Sequence, residues 1–360
     1  MVKYICFIAV FFFFALYINI HYLKMKAIRL FSFVAALVMP MTLLMSCEDN
    51  NPETETDDIR LSVSFDYTSL DSLWGLGWDT EWLYNWNESS YGQLGYAMPD
   101  NIKGTFYNID SKTGKRFNYF FKIFDPDGGR VLLPTGLVYD MLVYNFGTEN
   151  VIFNQSDDFE TYTATYRSQP DELSGAMVTG VDLSAKTLSG YDSDKDAEGN
   201  VVYVRNLNVE LKPYSFIYLF QIVILNNKDV DPSTEGDSVV GARRLALTGV
   251  AESVDLFTRK TNKSTAVITT EDIKPVQNHK NVRLEDGSIV ESADILAARI
   301  LTWGIPEKAS AIDRNYLGVD LTLSSGLSYT VTCDVTELIR QKPSGGVITV
   351  YVDANEFILY

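Results

Sequence analysis

Beyond residue 60 the apolar residues come in short β-branched and aromatic runs, cut by turn-forming clusters about every ten residues. "FNYFFKIF" stands between "DSKTGK" and "DPDGGR", and "GLVYDMLVYN" follows "LPTG". A chain broken so often has no room for long helices, and only short strands paired across a sheet can bury such runs. "RLSVSFDY" reads as a strand, and the two runs that are apolar on both faces read as central strands. "SADILAARILTW" has helical composition, but Gly304 and Pro306 close it after a length that suits a strand. "LSYTVTCDV" alternates, with Leu327, Tyr329, Val331, Cys333 and Val335 on the face expected to meet a core. The fold class is therefore all-β, of the sandwich type.

A length of 360 residues exceeds one small core and fits two domains. The polar stretch from Ser168 to Asn200 marks the expected boundary. The reading is an N-terminal sandwich over residues 59–170, a linker over 171–199 and a C-terminal sandwich over 200–360, opening on "NVVYVRNLNVEL" and closing on the strand-like "GVITVYVDANEFILY".

Residues 1–46 form a signal region. Basic Lys24, Lys26 and Arg29 precede "LFSFVAALVMPMTLLM", and Ser46-Cys47 follows, in the order of a secretory signal. Leu44, Ser46 and Cys47 resemble the lipobox of bacterial lipoproteins. That resemblance implies diacylglycerol on the Cys47 thiol and cleavage between Ser46 and Cys47, leaving an acyl anchor worth about 0.8 kcal/mol per buried methylene. Met25 begins a complete signal by itself, so either translation starts there or residues 1–24 belong to a double-hydrophobic leader. Residues 47–58 are then the acylated cysteine and a tether too acidic and polar to build a core. Acidic residues directly after the cysteine resemble the export signal of Bacteroidetes surface lipoproteins. The implied location is the outer membrane, lipid-anchored and facing outward.

Composition narrows the function. Without the four basic residues before Cys47, 26 Lys and Arg face 47 Asp and Glu, a net charge of −21 in place of −17. Such a surface repels phosphate backbones, so no nucleic-acid partner is expected. Of three cysteines only Cys333 follows Cys47, which excludes a disulfide framework and a zinc cluster. The one histidine after Cys47 is His279, in a polar segment, and no nucleophile or phosphate-binding motif accompanies it. We read the chain as non-enzymatic, without cofactor or resident metal. Asp192, Asp194 and Asp196 alternate as calcium ligands can, but Ala197 stands where an EF-hand has glycine and Tyr203 where it has a bidentate acid, so an acidic loop is the better reading. Trp74, Trp78, Trp82 and Trp86 recur every fourth residue, a one-sided aromatic ladder. It suits either packing over a sandwich edge or a platform for sugar rings.

With the lipobox and the acidic tether, "LLPTGLVYDMLVYN", "TENVIF", "SFIYLFQIVILN", "RRLALTGVAESVDLFT" and "LGVDLTLSSGLSYTVTCDVTELI" resemble the fimbrillin-like lipoproteins of Bacteroidales, which include type V pilus anchor subunits. The resemblance implies two tandem transthyretin-like, Greek-key sandwiches and a role in anchoring or assembling fimbriae by β-strand complementation. In that family, stalk subunits are cut after a basic residue beyond the first strand, which opens a groove for a donor strand. Here Arg60 precedes the expected first strand and the next basic residue is Lys103, so the resemblance implies an anchor that keeps its first strand. The expected partners are the outer-membrane lipid, through acylated Cys47, and fimbrial subunits; the alternative is a surface glycan-binding lipoprotein using the four tryptophans.

Overall fold

The computed structural model describes residues 59–70, 97–183, 192–195, 201–227, 238–262, 264–277, 282–284, 286–290, 293–307 and 313–357. The first eleven strands are β1 (Ile59–Asp66), β2 (Ile102–Ile109), β3 (Arg116–Phe124), β4 (Gly129–Leu133), β5 (Val138–Asn145), β6 (Val151–Gln155), β7 (Tyr162–Tyr166), β8 (Ser174–Asp182), β9 (Asp192–Lys195), β10 (Val201–Glu210) and β11 (Lys212–Pro213). Two sheets, ordered β4-β1-β10-β9 and β11-β8-β5-β2-β3, face each other. Between them lie Leu61 and Val63 of β1, Phe106 of β2, Met141 and Val143 of β5 and Val209 of β10, all buried.

The second half contributes β12 (Phe216–Leu225), β13 (Val239–Ala251), β14 (Ser253–Asp255), β15 (Thr265–Thr270), β16 (Ile273–Gln277), β17 (Val282–Arg283), β18 (Ile289–Val290), β19 (Ala293–Thr302), β20 (Tyr316–Leu323), β21 (Ser328–Asp334), helix α1 (Thr336–Gln341) and β22 (Gly346–Asp353). Its sheets run β16-β19-β12-β22 and β15-β13-β20-β21. Central β12 has Phe220 and Ile222 in the sandwich core and Val223 on the opposite face, against Ala293 and Ile295. Burial on both sides explains why this strand is apolar at nearly every position. The chain thus forms the all-β, two-sandwich architecture expected from its sequence. A small sheet, β14-β7-β6, joins strands of both halves around a further cluster that includes Tyr107, Tyr144, Tyr162 and Trp303.

Several local expectations shift. Strand β10, read as the opening of the second sandwich, belongs to the first, where it runs parallel to β1 with Ile59 opposite Tyr203 and Asp66 opposite Glu210. The first sandwich therefore continues to residue 211. The stretch read as a linker contains β8, which pairs with β5. Its lack of bulk has a packing reason: a Cβ on Gly175 would lie 2.2 Å from the Val143 carbonyl oxygen and 2.9 Å from the Tyr214 ring. A polar, small-residue composition was here the mark of close strand packing.

The helix-like segment is strand β19, antiparallel to β12 over ten residues from Phe216–Thr302 to Leu225–Ala293. Pairing along a fully buried neighbour outweighs alanine's helical preference, which is at most about 1 kcal/mol per residue. Arg60 lies within β1, at its second position, and does not precede it. On β21, Cys333 is half-buried against the core and burial raises its thiol pKa, while Val335 is buried and Leu327, 54% exposed, is not a core residue. Strand β22 pairs parallel with β12, Tyr218 opposite Gly346 and Leu225 opposite Asp353, and so completes a sheet of its own chain.

Candidate interaction edge

The run "FNYFFKIF", read as a central strand, is the edge strand β3. Two turns hold it. Before it, the Asp110 carboxylate accepts the backbone N–H groups of Lys112 and Thr113, both at 2.8 Å, which holds its pKa below the usual carboxylate range. After it, the Gly128 N–H donates to the Asp125 carbonyl at 2.9 Å. Gly128 is left-handed, φ 107°, and a Cβ there would sit 2.0 Å from the Val63 carbonyl oxygen, so no other residue fits this approach to β1.

One face of β3 is inward. Phe120 stacks on Phe106 at 5.0 Å and meets Tyr139 edge-on, and Phe124 meets Phe65 edge-on at 5.8 Å. The other face carries Tyr119, Phe121 and Ile123, level with Tyr107, Thr105 and Lys103 of β2. Near its start this face is covered: Tyr107 is fully buried, and Phe159 meets Tyr119 edge-on at 5.6 Å. The cover is partial, and Tyr119 itself is 44% exposed. Phe121 is 46% and Ile123 43% exposed, and Phe117, at the bulge between the Asn108–Asn118 and Ile109–Arg116 pairs, is 54% exposed. Among the described residues no strand pairs with the outer side of β3, so it is an apolar edge of its sheet, where the Tyr119 N–H is taken by the Asn118 side chain at 2.8 Å.

Two cations mark this face. Arg116 is fully engaged: its Nε and Nη2 donate to Asp140 Oδ2 at 3.1 and 2.9 Å, its Nη1 donates to the Phe159 carbonyl, and its guanidinium lies 4.2 Å from the centre of the Phe257 ring. Lys103 is half-buried, its ammonium 4.5 Å above the Phe121 ring, and burial lowers its pKa. Among the described residues it has no carboxylate or hydrogen-bond partner.

A cleft of about 390 Å³ lies where the halves join, lined by Tyr214, Phe216, Arg259, Lys260, Trp303 and Glu307 among others. The buried Trp303 has an indole N–H without an acceptor among the described residues. The cations are already committed. Arg259 stacks on Tyr214 at 4.4 Å and donates to the Pro213 and Gly175 carbonyls, and Lys260 pairs with Glu307 at 3.4 Å. Among the described residues the charged side chains that line the cleft are engaged with one another or with backbone, so β3 is the stronger candidate.

Ser46, Cys47, the four tryptophans at 74, 78, 82 and 86, Asp196 and His279 lie outside the described residues. Asp192 and Asp194 fall two apart on β9, opposite Val204 and Val202. Sequence reasoning passed over Lys103 and the outward face of β3. The available signal was "KRFNYFFK": basic residues bracketing a run apolar on both faces are a common guard on a strand edge.

Two packed sandwiches, the first with an apolar strand at the edge of one sheet, make up most of the described residues. The chain belongs to the family described as "Domain of unknown function (DUF5119)", whose model matches residues 84–294. No curated protein matches it. Among solved structures it is similar to a putative adhesin from Bacteroides ovatus at 13% identity and a TM-score of 0.50, covering 85% of this chain and 96% of that one. It is also similar to a putative adhesin from Bacteroides thetaiotaomicron (10% identity, TM-score 0.43, 84% and 94% covered) and to the fimbrial anchor protein Mfa2 from Porphyromonas gingivalis (10% identity, TM-score 0.39, 82% and 90% covered). At these identities the likeness is one of fold.

Proposed function

We propose that this protein is an outer-membrane surface lipoprotein, acylated at Cys47, that works as a fimbrial-anchor-type structural protein and grips a partner subunit by β-strand addition. The observation that carries this reading is the edge of β3, which pairs with no strand among the described residues, with Phe117, Phe121 and Ile123 exposed beside it. A partner strand laid there would gain main-chain hydrogen bonds and cover an apolar row at once. Strand β1 is held between β4 and β10 with Leu61 and Val63 buried, and β22 is engaged by β12, so contact through an edge suits the chain better than donation of either strand. The glycan reading rests on tryptophans outside the described residues and gains no support from the described ones.

The test is a Phe117→Lys/Phe121→Lys variant expressed in the parent bacterium. The unmodified protein is expected to co-purify with a ladder of subunits that survives mild denaturant, and the variant to lose it while folding normally. An unchanged ladder would remove β3 from the mechanism. Palmitate labelling that persists in Cys47→Ala would remove the anchor.

A further inference from the structure

We infer that the strand received at β3 carries a carboxylate on the face it shares with Phe121, and that Lys103 selects it. The inference rests on β3 being the docking edge. Lys103 stands on β2, one strand in from the edge, level with Ile123, yet its ammonium lies over Phe121 and so leans across β3. A cation half-buried against an aromatic ring has lost part of its hydration. Two other cations at β3 have an acid: Arg116 has Asp140 at 2.9 Å and Lys115 has Glu160 at 3.3 Å. Lys103 has none among the described residues, and the ring quadrupole beneath it compensates only in part.

A strand added beside β3 places its side chains directly opposite or diagonal to Phe121, within reach of that ammonium. An aspartate or glutamate there would complete the ion pair as water leaves the interface. Valine or threonine at the flanking same-face positions would cover Tyr119 and Ile123. A lysine at that position would meet a cation that burial keeps from retreating. The chemistry of the partner is thus an extended segment, apolar on alternate residues, with one acid at its centre. In a protein of net charge −17 a cation left open on an apolar face is an economical way to choose such a strand.

The experiment uses the full-length protein and three fluorescent, end-blocked peptides of sequence Val-Thr-Val-Thr-X-Thr-Val-Thr-Val, with Glu, Gln or Lys at X. The Glu peptide is expected to bind about tenfold more tightly than the Gln peptide and the Lys peptide least, with the preference shrinking in high salt. Lys103→Met keeps the apolar stem and should equalise Glu and Gln; Lys103→Glu should favour the Lys peptide. Equal binding of all three by the unmodified protein, or a Glu preference that survives in Lys103→Met, overturns the role of Lys103 and leaves the edge standing. Binding of no peptide overturns the docking edge and this inference together. Self-association of the protein, abolished by Phe121→Lys, would assign the edge to a second copy and overturn the separate partner.

Discussion

Asp140→Asn tests how β3 is held to its sheet. Asp140 sits in the middle of β5, 9% exposed, and joins three strands: Oδ2 accepts two bonds from Arg116 of β3, and Oδ1 accepts the Gly180 N–H of β8 at 3.1 Å. Asparagine keeps an oxygen for Gly180 but turns an amide toward the guanidinium, so two charge-assisted bonds are lost and a cation stays in place without its acid. Breaking a buried pair costs about 3–5 kcal/mol. The residual exposure of both side chains, 19% and 12%, and the contacts Arg116 keeps with Phe159 and Phe257 reduce the expected loss to about 2–3 kcal/mol. With Arg116→Met added, no cation remains to be stranded, and the double variant should lie within about 1 kcal/mol of the parent. Urea unfolding of the four proteins gives a coupling energy, and hydrogen exchange at the amides of residues 116–124 shows whether the loss is local to β3. The reasoning fails if Asp140→Asn unfolds within about 0.5 kcal/mol of the parent, or if the double variant costs the sum of the single ones.

Gly128→Ala should cost more than about 2 kcal/mol, because its Cβ would strike the Val63 backbone, whereas Gly114→Ala, equally left-handed at φ 69° but in open space, should cost only about 1 kcal/mol. Parallel urea curves separate the two. Alkaline pH should destabilise the fold. Burial pushes the Tyr214 hydroxyl up to about 12, so above pH 10 the unfolded chain releases a proton that the folded chain keeps. Stability from this group is complete below pH 10 and is lost as the pH rises through about 12, by roughly 3 kcal/mol in all. Tyr67 and Tyr166, also pushed up to about 12 by burial, add in the same direction with less weight because they are more exposed. Thermal melts from pH 9 to 12 that show no fall would contradict this, and Tyr214→Phe should flatten the curve.

Strand identity was legible wherever one local pattern sufficed. Phe216–Leu225 is apolar at nearly every position because both its faces are covered, and the alternation of Ser328–Asp334 correctly placed Cys333 toward a core. Partner choice was not legible. "FNYFFKIF" and "FIYLFQIVIL" are equally apolar, yet one is an edge and the other a centre, because a strand's rank in its sheet depends on neighbours far away in the chain. The same cause moved β10 into the first sandwich: its parallel partner β1 lies more than a hundred residues earlier, and no local signal reports that pairing. Of the candidate site, aromatic content and flanking basic residues were in view; the leaning of Lys103 over Phe121 was not.

By itself the sequence determined the all-β class and the two-sandwich organisation; its acidity argues against nucleic acid, and the lipid site proposed at Cys47 is read from it alone. Each of these follows from composition or from spacing within a few residues. Tertiary structure alone decided which apolar faces are covered, that β1 and β22 are engaged by their own sheets, and that among the described residues β3 stands at the edge of its sheet with Lys103 beside it. Those are outcomes of pairing between distant segments, where burial of one face against another, and not the character of either run, sets what remains for a partner to hold.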